Sequence, residues 1–290
     1  MLYFDDWHWG KFIKQSQGDT MKQTFRGLLK LLFVAIAILT TTQAIQAEST
    51  PQETKAKLKL ARAAYACGHM SEKITKDYLY IGNKIGIRQA KQEVEDAIKT
   101  FDKKFKVLDE SINDPKSKNL LVFMQMSFDE LKDLVAQPYS LDNAQIALDL
   151  SATILEGAKF IADNLKQSVN FSDKNAVNGM RTYFESIAKY YMAYQAGIKD
   201  DNTIKLMSET VKAAGETIEG LAKDSRNTIA MNQKMNKVKR LWGVVYKFYL
   251  DIDKGGLPFI VYKTTKDLNK NIKSYSMDMA AVALKAKADK

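Results

Sequence analysis

Two stretches of this chain are versions of one helix, and this repeat limits the possible folds more than any other feature. Glu72-x-Ile74-x-Lys76-x-Tyr78 returns as Glu185-x-Ile187-x-Lys189-x-Tyr191, 113 residues later. The apolar spacing downstream of the two segments keeps nearly the same offset. A repeat of this length means two domain-sized units rather than a short-period solenoid.

The rest of the pattern is helical. Apolar residues recur three and four apart, as in helices packed along a/d-type seams. In the first copy the stripes run through Ile74 and Tyr78, then Phe101 and Phe105, then Met124 and Phe128, then Leu148 and Leu155. In the second they run through Phe184 and Tyr191, Val211 and Ile218, Val238 and Trp242, Leu268 and Ile272. Pro51, Pro115, Pro138 and Pro258 stand where a pattern starts or stops, as residues without an N–H should. Ser140 is placed to cap the fourth helix, and Ser172 or Asp173 the fifth. No segment alternates with the period of two that a sheet requires. The expected fold is all-α, with two tandem up-down four-helix bundles over residues 56–167 and 174–285.

The N-terminal region reads as an address. Lys22, Arg26 and Lys30 precede the apolar run Leu31–Leu39, and small residues follow up to a cut after Ala47. That is the layout of a secretory signal peptide, placed at residues 21–47. The apolar run is too short for a spanning helix of about 20 residues. An uncleaved signal that anchors the chain to the inner membrane is the alternative. Residues 1–20 are read as an upstream extension ahead of a true start at Met21.

Composition narrows the chemistry. The chain has 44 basic and 34 acidic residues; the first 47 positions hold five and three, which leaves 39 and 31, or +8, from Glu48 onward. For an exported protein this charge points to solvated surface, with a weak attraction to anionic envelope surfaces, rather than to nucleic acid. With Cys67 as the one cysteine, no internal disulfide and no CxxCH haem attachment can form. Beyond residue 47 the one histidine is His69, so neither a zinc set nor a di-iron bundle can be assembled. Cys67 and His69 point to different faces of their helix. The expectation is no enzyme, no metal and no cofactor. Glu72 and Lys76, like Glu185 and Lys189, are spaced i to i+4, a spacing that stabilises a helix through pairs within it.

Residues 174–194 (KNAVNGMRTYFESIAKYYMAY) carry a resemblance. They are similar to the opening helix of the PilJ-type domain, the N-terminal sensory domain of type IV pilus methyl-accepting chemotaxis transducers. That domain is related in turn to the periplasmic bundles of nitrate/nitrite sensor kinases. Asn178, Arg181, Ile187, Ala188, Lys189, Tyr191 and Met192 fall on or near the family pattern. The first copy follows it through Ser71, Ile74, Lys76, Tyr78 and Leu79. The resemblance implies a periplasmic sensing module that binds a small ligand, an anion in the nitrate-sensing relatives, through helix-one arginines facing across a dimer. Arg181 falls on the first arginine of the pattern; its counterpart in the first copy is Gly68, and the second arginine place holds Ser186 or Lys73. The candidate ligand-binding residues are Arg181, Asn178, Lys189, Tyr191, Lys76 and Tyr78. After Ala47 there is no apolar run of about 18 residues to cross a membrane and no output region, so the module is expected to act through an envelope partner. A purely structural or scaffolding role in the envelope is the competing reading. The duplication also raises an internal pseudo-dimer, with helix one of each copy packed together, beside the option of a homodimer.

Overall fold

The structure is a computed structural model that describes residues 50–167, 176–252 and 256–288, with backbone alone for 176–178 and 283–288. The expected signal peptide and the caps Ser172 and Asp173 lie outside the described residues. Among those residues the chain is all-helical, in eight helices: α1 Pro51–Gly82, α2 Ile87–Ser111, α3 Pro115–Val135, α4 Leu141–Gln167, α5 Ala176–Gln195, α6 Asp201–Ala222, α7 Ile229–Leu250 and α8 Pro258–Ala288.

Their ends are written in the sequence. Pro51, Pro115 and Pro258 open α1, α3 and α8, where a missing N–H costs nothing. Thr50 accepts from the Glu53 N–H while the Glu53 side chain accepts from the Thr50 N–H, a reciprocal cap on α1. Asp114, Asp200 and Thr228 cap α3, α6 and α7 through their side chains. The Ser140 hydroxyl accepts from the Asn143 N–H, as its position predicts.

Two helices form the middle. α1 lies against α2, α4 and α5; α5 lies against α1, α6 and α8; α3 lies on α4, and α7 lies between α6 and α8. Residues Glu48–Lys290 make one compact unit. Tyr80, near the end of α1, meets Tyr262 near the start of α8 at 4.9 Å between rings. Tyr191, near the end of α5, accepts from the Leu257 N–H just before α8. The two central helices therefore run in the same direction.

Enclosure removes the solvated face from both. Residues 71–72 and 74–80 of α1 are buried without a break except Lys73, and so is every residue from Phe184 to Tyr194 in α5. A helix buried on all faces must bury its polar residues as well, and each of those then needs a partner. The chemistry of the chain is concentrated here. Among the described residues no helix is long and apolar enough to cross a membrane.

Candidate functional site

The repeated glutamates and lysines meet across the α1–α5 seam. Lys189 Nζ lies 2.7 Å from Glu72 Oε1, and Lys76 Nζ lies 2.6 Å from Glu185 Oε2. Each lysine stands one turn beyond the glutamate of its own helix and reaches across to the glutamate of the other. The expectation of i to i+4 pairs within each helix is thus corrected. Both side chains of the Lys189–Glu72 pair are fully buried. A buried ammonium gains more from a facing carboxylate in a low-dielectric seam than from any solvated neighbour.

The exchange is reciprocal, but its two ends differ. Lys189 also donates to Ser151 Oγ on α4 at 3.0 Å and lies 4.3 Å from the Tyr190 ring. Lys76 lies 3.0 Å from Asp77, and Asp77 is shared with Lys73 at 2.8 Å. Lys73 continues to Glu93 on α2, and Lys266 on α8 meets the same carboxylate at 3.2 Å. Asn269 Nδ2 donates to Glu185 Oε1 at 2.9 Å. Burial acts to lower both buried lysines, but the facing carboxylates outweigh it and hold each above its ordinary value. Burial would likewise raise the Glu185 carboxyl, yet Lys76 and Lys73 bring it down to about 2.

Beside these matched charges lie polar atoms without partners. Both ring nitrogens of His69, Glu72 Oε2 and Arg181 Nε are buried and make no hydrogen bond among the described residues. Burial pushes His69 down to about 3, which keeps it neutral, in the combined field of Glu185, Arg181, Lys73 and Lys76. Leaving such groups unsatisfied costs about 1–3 kcal/mol each, so the seam near His69 and Arg181 carries a cost in stability.

Of the sequence-derived candidates, Arg181 and Lys189 come to the seam from α5, and Lys76 from α1. Both lysines are already matched by carboxylates. Asn178 belongs to α5, but its side chain lies outside the described residues. Tyr78 and Tyr191 sit at the far end of the central pair. The Tyr78 hydroxyl donates to the Pro138 carbonyl, and the Tyr191 hydroxyl accepts from Leu257. The structure also explains why Gly68 stands opposite Arg181 in the repeat. A Cβ at Gly68 would lie 2.9 Å from Leu155 and 3.2 Å from Ala158 of α4, so α1 and α4 approach too closely there for an arginine.

Sequence reasoning missed His69, Ser151, Asp77 and Asn269 as members of this cluster. The available signal was the stretch from Phe184 to Tyr194, where apolar residues cover every face around Glu185 and Lys189. Trp242 takes its expected core place, 6.1 Å from the Phe184 ring and 5.9 Å from that of Tyr249. Cys67 is wholly buried, and burial pushes its thiol up, away from the reactive thiolate. No protein-family model, curated protein or solved structure matches this chain.

Proposed function

We propose that this chain is a non-catalytic sensory module of the cell envelope, exported by its signal peptide. It binds a small ligand, an anion by the chemistry of Arg181, and reports through a partner protein. In this reading α1–α4 and α5–α8 are two up-down four-helix bundles in tandem, of the PilJ-like kind. They are joined through α1 and α5 as an internal pseudo-dimer that takes the place of a homodimer. The observation that carries the reading is the parallel α1–α5 seam, with its reciprocal ion pairs and its unsatisfied His69 and Arg181 atoms. A guanidinium stays charged and offers planar paired donors, which suits an oxyanion.

The test is a thermal-shift screen of the purified chain against small oxyanions, amino acids and dicarboxylates, with Arg181→Ala beside it. A ligand that binds only the folded state raises the melting temperature by mass action. A hit abolished by Arg181→Ala supports the site. A flat panel moves the weight to the scaffolding role. That second reading has an observation of its own at the α7–α8 corner, where Leu250, Leu257 and Phe259 are exposed by 63%, 48% and 59%.

A further inference from the structure

α2 and α3 are neighbours in sequence but touch at few places along their length. Between them, closed at one end by α1 and the α3–α4 loop, lies a cleft of about 590 Å³. Small-molecule sites are of this size, mostly apolar, with a few polar groups that fix orientation. The walls here are Tyr78, Ile81, Val94, Ile98, Val135 and Pro138. One end is firmly built. The Tyr78 hydroxyl holds the Pro138 carbonyl, and the Tyr139 ring lies so close on Gly82 that a Cβ there would sit 2.2 Å from it. Among the described residues the buried Tyr139 hydroxyl has no hydrogen-bond partner.

The charged groups lining the cleft are Lys91, Lys132 and Glu95. Lys132 is already in contact with Asp129 at 2.9 Å; Lys91 makes no ion pair among the described residues. Lys91 is thus the lining ammonium left to face an anionic head group. We propose that this cleft is a ligand site separate from the seam, one that takes a small amphipathic carboxylate: an alkyl or aryl body against the apolar walls, with its head toward Lys91. Neither Arg181 nor the buried ion pairs line it, so this site stands or falls independently of the seam.

The experiment is a fluorescence titration of the full chain with cis-parinarate, an emissive polyene carboxylate, followed by displacement with decanoate and with decanol. Saturable binding at one site per chain is expected, with decanoate displacing the probe far better than decanol. Ile98→Trp fills the cleft and is expected to weaken binding at least tenfold. Lys91→Glu, at an exposed position where folding is not at stake, is expected to weaken it by about tenfold, the effect of roughly 1.4 kcal/mol. Arg181→Ala should leave the titration unchanged. Absence of saturable binding overturns the proposal. So does a titration that neither Ile98→Trp nor Lys91→Glu alters, since the probe is then held elsewhere.

Discussion

The two halves of the chain use the same helix-one residues and build different surroundings for them. In the first half, Tyr78 donates its hydroxyl to the loop carbonyl of Pro138; in the second, the equivalent Tyr191 accepts from the backbone N–H of Leu257. In the first half, α2 and α3 splay apart over a cleft, and Phe101 stacks on Phe128 at 3.6 Å below it. In the second, α6 and α7 come together, and Trp242 bridges Phe184, Tyr246 and Tyr249. The seam is the part that both halves must share, since each supplies the glutamate that the other's lysine needs. A duplicated chain can let its outer helices diverge, but a buried charge fixes its partner on both sides at once.

The largest expected effect separates the two ends of that exchange. Lys189→Met leaves Glu72 buried with no other donor to its carboxylate among the described residues, and removal of one member of a buried pair costs about 3–5 kcal/mol. Lys76→Met should cost less, because Glu185 keeps Asn269 and Asp77 keeps Lys73. Urea denaturation of the two variants gives the order directly; equal losses would break the asymmetry.

Acid should distinguish the halves next. The unfolded His69 imidazole takes a proton near 6.5 and the folded one only near 3. Between those values the unfolded chain binds more protons, so stability is complete above 6.5 and is lost as pH falls toward 3. The second copy has Thr182 at the corresponding place and adds no such slope. His69→Met should flatten the decline between pH 6.5 and 4.5. The contribution of Glu185 remains, present above its unfolded value of 4.5 and lost as pH falls toward about 2. Melting temperatures across that range measure both.

Glycines give smaller effects of opposite sign. Gly68→Ala crowds Leu155 and Ala158 and should cost about 1–3 kcal/mol. Gly243 in α7 has nothing within 4 Å of a new Cβ, so Gly243→Ala should stabilise by up to about 1 kcal/mol. The smallest effect belongs to the exposed Lys106–Glu110 pair, 76% and 62% accessible. Lys106→Ala should stay within about 0.5 kcal/mol.

Much of the scaffold is legible in the sequence because its signals are local. Pro51, Pro115 and Pro258 mark helix starts, Ser140 marks a cap, and the apolar spacing around Phe128 and Trp242 marks helix faces. The seam is not local. Glu72 and Lys76 satisfy the i to i+4 rule perfectly well by themselves, and spacing within one helix cannot reveal that the partner of Glu72 stands 117 residues away. What decided between the two pairings was burial, and burial follows from α1 and α5 both lying in the middle. The cleft was equally out of reach, since it depends on how far α2 stands from α3.

The most direct test of the seam is a double-mutant cycle on Glu72→Gln and Lys189→Met, read by urea denaturation, with Glu72→Gln and Lys76→Met as the parallel cycle. The expected result is a coupling above about 1.5 kcal/mol for the first pair and near-additivity, within about 0.5 kcal/mol, for the second. Additivity between Glu72 and Lys189, with the coupling found instead between Glu72 and Lys76, would contradict the exchange across the two central helices.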